Sequence, residues 1–219
     1  MELENDVSIA IVGGTGNLGQ GLAVRLAAPG IKVIIGSRDP EKARTVVESI
    51  RKASGKEGIE GKGNQEAVRE AELVVIAVPY EGHSKMVTDL RDQIGKKIVI
   101  DAVVPLKKGK PFIPPAGSAL LEAQEILGTE TPVVGALHNI SAGDLQEPDA
   151  PLGDVLVCGD SKDAKERVME FIQKLGARAF DAGPAANAYI IEGLTGVLIH
   201  LNRRYKSKHA SIKVTGIGD

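Results

Sequence analysis

The sequence is poor in cysteine and in aromatic residues. Its 219 residues include one cysteine, no tryptophan, three tyrosines and three phenylalanines. The single cysteine, Cys158, excludes an intrachain disulfide and is compatible with a reducing cytoplasm. Because Cys158 ends the strand-like run 154–158, we interpret it as a buried and inert thiol. With so few aromatic rings, a planar ligand would be held mainly by backbone, proline and aliphatic side chains.

Long apolar runs and a marked excess of one charge are missing as well. No apolar run approaches the roughly 18 residues that a membrane-spanning helix needs, and residues 1–6 are acidic rather than signal-like. The formal net charge of -2 does not favour nucleic acid as a partner. We therefore expect a cytoplasmic protein of one large domain, or one domain with a small appendage, without nucleic-acid or membrane partners.

Glycine, by contrast, is abundant, and three glycines form a recognisable pattern. Gly14, Gly16 and Gly19 fit G-x-G-x-x-G between an apolar run, residues 7–12, and a helix-like run, residues 20–28. In such a turn the first glycine permits the tight bend, the second lets the backbone approach a pyrophosphate, and the third lets the helix pack on the strand. The pattern predicts a dinucleotide site at a helix N-terminus. The alternative is a glycine-rich connection without a ligand.

Short β-rich runs alternate with helix-like segments along the chain, which is typical of a doubly wound α/β fold. We predict a mostly parallel Rossmann-type sheet in residues 1–143, and a smaller C-terminal α/β part in residues 144–219 that ends in a long helix. The predicted strands are residues 7–12, 32–36, 73–78, 97–104, 132–138, 154–158 and 178–181. The predicted helices are residues 17–28, 40–54, 64–71, 83–94, 118–127, 164–175 and 187–206.

Three connections of this pattern carry predictions of their own. Residues 58–63 are predicted as a glycine-rich connection that holds at most a weak strand. Asn64 is predicted to cap the following helix. Residues 107–118, with three prolines, are predicted as a long and functional loop, and a soft boundary is expected near residues 143–153.

The end of the second predicted strand indicates which dinucleotide binds. NAD enzymes place a carboxylate there to accept hydrogen bonds from the ribose 2′-hydroxyl, but this chain has Ser37 and Arg38. A 2′-phosphate would meet the hydroxyl of Ser37 and the guanidinium of Arg38, and Lys42 follows one helical turn later. These residues favour NADP(H), while Asp39 is expected to point away. The alternative is that the cations are solvated surface charges.

The predicted strand ends contain apolar residues and prolines rather than acid–base machinery. Val78-Pro79, Val104-Pro105 and Leu137-His138 all lie at the carboxyl ends of predicted strands, where this fold binds ligands. No Ser/His/Asp arrangement and no metal-ligand spacing is recognisable. Hydride transfer between two ring carbons requires only two flat rings held face to face in a dry slot. We therefore predict no catalytic side chain and no metal.

Several motifs together carry a family resemblance. They are residues 13–19, 36–38, 78–83, 136–142 and 181–184, in this order, with residues 202–206 at the end of the last helix. This combination resembles the NADPH-dependent F420 reductases over about residues 7–217. Some relatives carry Thr and Pro where this chain has Asn139 and Ser141, so the contacts of those two side chains stay open.

The resemblance implies an enzyme that transfers a hydride between NADP(H) and the deazaflavin coenzyme F420. It implies that the pyrophosphate contacts Thr15, Gly16, Asn17 and Leu18, and that the 2′-phosphate is held by Ser37, Arg38 and Lys42. The nicotinamide is implied to lie near Val78, Pro79, Val104 and Ala142. The deazaflavin is implied to stack over it, near Pro79, His138 and Ile140.

Two histidines are open to more than one interpretation. For His138 we favour hydrogen bonding to the deazaflavin over a strand-end histidine satisfied by the protein, and we do not expect an essential acid or base. His83 either caps the start of a helix or contacts the edge of a ligand.

The last predicted helix carries an apolar stripe at three- and four-residue spacing. We interpret the stripe as packing rather than cofactor contact. Such a helix could serve a two-fold dimer, and the resemblance implies a homodimer. Four cations lie at the end of this helix: Arg203, Arg204, Lys206 and Lys208. They either balance the helix C-terminus or, together with Lys107, Lys108 and Lys110, recognise the anionic tail of the deazaflavin.

Two other functions are compatible with the same residues. An NADP-dependent imine or ketone reductase would need a proton donor, for which Tyr80 is the candidate. A non-catalytic NADP-sensing protein would bind the nucleotide and a protein partner.

Overall fold

The computed structural model of the protein describes residues 7–27, 30–147 and 149–217. Six parallel strands form the main sheet in the order β3-β2-β1-β4-β5-β8. They are β1 (Ser8–Val12), β2 (Lys32–Ser37), β3 (Ile59–Gly63), β4 (Leu73–Ile76), β5 (Ile98–Asp101) and β8 (Val133–Gly135). Strands β1, β4 and β8 are buried along their whole length, as expected of parallel strands covered on both faces. This sheet confirms the predicted fold class.

Helices cover both faces of the sheet. They are α1 (Asn17–Ala27), α2 (Pro40–Ser54), α3 (Asn64–Glu70), α4 (His83–Ile94), α5 (Ala119–Leu127), α6 (Ala142–Gln146), α7 (Lys162–Lys174) and α8 (Ala188–Tyr205). Alternate residues of β1 face opposite ways, since Ile9 packs in the core with α1, α2 and α7 while Ala10 packs in the core with α3, α4 and α5. Two apolar cores therefore sandwich the sheet.

The strand order reverses direction between β1 and β4. From β1 the chain winds outward through β2 to β3, and then returns to β4 on the other side of β1. A crevice opens at the carboxyl ends of the strands at such a reversal, and it is the usual ligand site of open α/β sheets. The glycine turn after β1 lies at this position.

The C-terminal part adds a second small sheet. Strands β9 (Val155–Val157) and β10 (Ala179–Asp181) pair in parallel, and an antiparallel bridge joins Gly135 to Cys158. After α8 the chain returns along this part, where the amide of Asp154 donates to the carbonyl of Ile212 over 2.9 Å. Cys158 is buried, as predicted, and burial raises the pKa of its thiol to about 12.

Some predicted boundaries were wrong. Residues 59–63 form a complete strand beside β2, and a Cβ on Gly61 would lie 2.6 Å from the carbonyl carbon of Ala43, so α2 packs too closely there for a side chain. Asn64 does not cap α3. Gly63 occupies the cap position, while Asn64 Nδ2 donates to Sδ of Met86 over 3.4 Å.

Other elements differ from the predicted bounds by smaller amounts. The predicted loop 107–118 contains part of a hairpin of β6 (Leu106–Lys107) and β7 (Lys110–Pro111). Strands β4, β5 and β8 end earlier than predicted, so Val78, Val104 and His138 lie in the connections that follow them. The predicted end of the first helix at residue 28 lies outside the described residues.

Candidate functional site

A cavity of about 1050 Å³ lies at the carboxyl ends of β1, β2 and β4. Its volume is that of a pocket for a large organic ligand. Seven of the residues predicted from the sequence line it together: Thr15, Gly16, Ser37, Arg38, Lys42, Val78 and Pro79. The strand ends meet at one edge of the sheet, so residues up to 64 positions apart in sequence share one cavity.

The three glycines of the turn are needed for different structural reasons. A Cβ on Gly14 would lie 2.7 Å from the carbonyl oxygen of Ile11, and a Cβ on Gly19 would lie 2.4 Å from Cα of Gly14. Both glycines are therefore required by contacts within the protein. A Cβ on Gly16 would meet only the carbonyl oxygen of Gly13, at 3.4 Å. The space above Gly16 is open, which fits a ligand group that approaches the backbone.

At the end of β2 the cations are free and the carboxylate is engaged. Oδ1 of Asp39 accepts hydrogen bonds from the amides of Glu41 at 3.1 Å and Lys42 at 3.4 Å, so this side chain caps α2. Arg38 and Lys42 are exposed and have no ion pair within the described residues. Asp39 also lines the cavity, contrary to the expectation that it points away, but its Oδ1 is held by the amides of α2. A 2′-phosphate at this edge would therefore meet two cations without an ion pair in the described residues, beside a carboxylate engaged as a helix cap.

The remaining predicted residues do not line the cavity. Gly14 is buried beneath the turn, where its amide donates to the carbonyls of Ile11 and Gly36, and Asn17 and Leu18 open α1. Val104, His138, Ile140 and Ala142 also lie outside the lining.

His138 is a buried residue with unused hydrogen-bonding capacity. The preceding residue, Leu137, adopts a left-handed backbone conformation with φ of 70°. The carbonyl of His138 accepts a hydrogen bond from Oγ1 of Thr195 over 2.6 Å. Neither ring nitrogen has a partner within the described residues. Burial lowers the pKa of His138 to about 4, against the opposing charge of Asp101. The ring is neutral, with one donor and one acceptor free.

Sequence reasoning missed a buried cluster around His83, which directly follows Gly82, a residue that lines the cavity. Nε2 of His83 lies 2.7 Å from Oδ2 of Asp101, and Nδ1 of His83 lies 3.2 Å from Oε2 of Glu122. Burial alone would lower the pKa of His83, but the two carboxylates outweigh burial and raise it to about 9. The available signal was the charged residue Asp101 at the end of an otherwise apolar strand.

Sequence reasoning also missed the part of the cavity formed by α3 and α4. Asn64, Met86 and Leu90 line this end, and Oδ1 of Asn64 is buried without a partner in the described chain. Over the same described ranges, no group of three or more His, Cys, Asp or Glu residues could hold a metal ion. None of the helices in the described chain is long and apolar enough to cross a bilayer.

Comparison with known proteins identifies relatives over nearly the whole chain. Residues 8–105 match the family described as NADP oxidoreductase, coenzyme F420-dependent. An F420-dependent NADP reductase of Methanocaldococcus jannaschii is 37% identical and aligns with 96% of this chain and 99% of its own length. Its namesake in Methanothermobacter thermautotrophicus is 39% identical, with 96% of each chain aligned. The crystal structure of a putative F420-dependent NADP reductase from Arthrobacter sp. FB24 superimposes with a TM-score of 0.82 at 24% identity, covering 94% of this chain and 98% of its own.

Proposed function

We propose that this chain, which belongs to the family of F420-dependent NADP reductases, transfers a hydride between NADP(H) and the deazaflavin coenzyme F420. The family expected from the sequence motifs is confirmed by relatives at 37% and 39% identity over almost full length. The structural observation that carries the proposal is the cavity in which an open glycine turn meets Arg38 and Lys42, two cations without an ion pair in the described part of the chain.

The NADP(H) half of the site follows from this cavity. The pyrophosphate lies over Thr15 and Gly16 at the start of α1, where amides and the helix N-terminus favour an anion. The 2′-phosphate is held by Ser37, Arg38 and Lys42. A hydrogen bond to a charged group contributes roughly 1.5–3 kcal/mol. Two such contacts explain a preference for NADP(H) over NAD(H) of about a hundredfold or more.

The two reacting rings occupy the apolar side of the site. We place the nicotinamide against Val78, Pro79, Val104 and Ala142, and the deazaflavin against Pro79, His138 and Ile140. Both nitrogens of the neutral His138 ring are buried in this structure, so a hydrogen bond to the deazaflavin requires the segment around His138 to open when the coenzyme binds. The chemistry is a hydride passed between two ring carbons, and the protein contributes the mutual orientation of the rings and the exclusion of water.

The C-terminal part, residues 144–219, supplies the deazaflavin side and a dimer contact. Several apolar residues of α8 are exposed: Tyr189, Ile190, Val197, Leu201 and Tyr205. An apolar face on a terminal helix suits a two-fold homodimer. Arg203 reaches the β6–β7 turn, since its Nη2 would lie 3.2 Å from a Cβ on Gly109. Arg203 and the lysines that flank Gly109, Lys108 and Lys110, are the cations that we propose for the anionic deazaflavin tail.

The structure does not favour Tyr80 as a proton donor for an imine or ketone. Its ring packs against His83 and Phe112. Burial and the charges of Glu122 and Glu192 raise the pKa of Tyr80 to about 12. A phenol that holds its proton this strongly is a weak acid at neutral pH.

One spectroscopic experiment tests the proposed function. The purified protein is mixed with NADPH and oxidised F420, and the visible absorption of the deazaflavin is followed across a range of pH. We expect bleaching with NADPH and much slower bleaching with NADH. An unchanged deazaflavin spectrum at every pH, with NADPH shown to bind, would leave the non-catalytic NADP-sensing protein as the better explanation.

A further inference from the structure

We propose that His83 is a positioning residue that fixes two walls of the nicotinamide site relative to each other, by bridging Asp101 and Glu122. The proposal rests on the proposed function for the location of the nicotinamide. Its structural basis is a fully buried histidine whose two ring nitrogens each face a carboxylate.

The geometry requires a bridging ring. Nε2 of His83 is 2.7 Å from Asp101, which ends β5, and Nδ1 is 3.2 Å from Glu122 on α5. The side chains of His83 and Asp101 are completely buried, and that of Glu122 is 22% exposed. An ionised carboxylate only accepts hydrogen bonds, so the ring satisfies both partners only when both nitrogens carry a proton. A neutral ring would leave a lone pair facing one carboxylate.

The bridge connects the two segments against which we place the nicotinamide. His83 directly follows the turn Tyr80–Gly82, and this turn directly follows Val78 and Pro79, which line the cavity. The other oxygen of Asp101, Oδ1, accepts from the amide of Val103 over 2.9 Å and so shapes the chain that leads to Val104. One carboxylate therefore holds the wall after β4 through His83 and the wall after β5 through its own backbone contact.

The groups around His83 favour its protonated form. Besides Asp101 and Glu122, the Tyr80 ring stacks on His83 with centroids 6.1 Å apart, and the charge of Glu192 on α8 acts on the same cluster. Glu192 accepts from the amides of Ala119 and Leu120, and burial raises its pKa to about 7. His138 also interacts with the charge of Asp101, but burial lowers its pKa and keeps its ring neutral. Burial lowers the pKa of His83, but the carboxylates of Asp101 and Glu122 outweigh burial and raise it to about 9.

Loss of the proton on His83 is expected to loosen both walls at once. Hydride transfer depends steeply on the distance and alignment of the two rings, and a misplacement of about 1 Å can cost about a hundredfold in rate. The rate of the hydride step should therefore fall as pH rises through about 9, while the distant adenosine half of the nucleotide binds unchanged.

The test compares three variants. His83→Gln removes the charge but keeps a polar side chain, and Glu122→Gln removes one carboxylate. Glu125→Gln on the exposed side of α5 is the matched control. For each protein the single-turnover rate of F420 reduction by NADPH is measured from pH 6 to pH 10. The affinities for NADPH and for 2′,5′-ADP, which lacks the nicotinamide, are measured over the same range.

In Glu122→Gln we expect the fall of the single-turnover rate at high pH to occur about one pH unit lower than in the wild type. In Glu125→Gln the pH of this fall should be unchanged. In His83→Gln this pH dependence disappears, the rate at pH 7 falls by about tenfold or more, and the affinity for 2′,5′-ADP stays within about twofold. A fall of the rate at the same pH in the wild type and in Glu122→Gln would overturn the proposal. If His83→Gln does not fold, Glu122→Gln and its control decide.

Failure of the proposed function would look different. If the wild type does not reduce F420, the ratio of the affinities for NADPH and 2′,5′-ADP still reports on the nicotinamide site. A lower ratio in His83→Gln than in the wild type would support the positioning role without F420 chemistry. An equal ratio would overturn the positioning role as well.

Discussion

Nε2 of His83 and Oδ2 of Asp101 lie 2.7 Å apart, and neither side chain is reached by solvent. Asp101 lies at the end of β5 and His83 at the start of α4, so this pair joins the connections that follow β4 and β5, against which we propose to place the nicotinamide. A buried ion pair is costly to break from one side, because the remaining charge stays buried without a partner.

The first prediction concerns stability and pH. The pKa of His83 is raised from 6.5 to about 9 by Asp101 and Glu122, against the opposing effect of burial. This contribution to the free energy of unfolding is complete below pH 6.5 and is lost as pH rises through about 9. The loss amounts to about 3 kcal/mol. Urea unfolding at pH 5.5 and pH 10 should show this loss of stability in the wild type and not in His83→Gln. Equal pH dependence in both proteins would contradict it.

The second prediction distinguishes the roles of Gly14 and Gly16 in the glycine turn. Gly14→Ala should lower the free energy of unfolding by about 1–3 kcal/mol, because the new methyl group would press on the carbonyl of Ile11. Gly16→Ala should leave the stability nearly unchanged, because only Gly13 is near, and should weaken NADPH binding. Thermal unfolding and a fluorescence titration with NADPH distinguish the two effects. The opposite pattern would place the nucleotide elsewhere.

The third prediction concerns nucleotide choice. Arg38→Ala should weaken NADPH binding by about tenfold to a hundredfold, which corresponds to one charged hydrogen bond, and should change NADH binding little. Arg44→Ala is the matched control, since Arg44 lies on α2 and pairs with Glu41 away from the cavity. Calorimetric titrations with both nucleotides provide the measurement. Equal losses for NADPH and NADH would show that Arg38 does not contact the 2′-phosphate.

The fourth prediction concerns His138. Because burial lowers its pKa to about 4, the ring is neutral above pH 5. His138→Asn should weaken F420 binding by about tenfold at pH 7, and the size of this effect should be the same at pH 6 and pH 8. The exposed His200→Asn on α8 is the control. Unchanged affinity and turnover in His138→Asn would leave His138 as a structural residue.

The fifth prediction concerns self-association. Val197 is 52% exposed on the apolar face of α8, and a charge there should be unfavourable in a buried contact. Val197→Glu should shift the protein from dimer to monomer in light scattering coupled to gel filtration. Lys174→Glu on the exposed face of α7 should have no effect. A wild type that is monomeric at high concentration would contradict the proposed α8 dimer.

The sequence determined the type of sheet, the place of the glycine turn and the family. These features depend on local patterns: apolar runs of strand length, helical spacing and glycines at fixed separations. The sequence also indicated which nucleotide to expect at the end of β2, since Ser37 and Arg38 occupy the position where an NAD enzyme places a carboxylate. The sequence pattern did not predict β3 as a full strand paired with β2. Its glycine Gly61 allows α2 to pack closely on the strand, and a local pattern does not reveal such packing.

Only the tertiary structure decided what surrounds His83 and what Asp39 does. His83 meets Asp101 and Glu122 across 18 and 39 residues of sequence, because α4 begins beside the carboxyl end of β5 and packs against α5. Asp39 accepts from the amides of α2 and forms no ion pair with Arg38 or Lys42 in the described residues, although all three side chains line the cavity. The sequence could supply these charges, but their pairing, burial and protonation follow from which elements pack together.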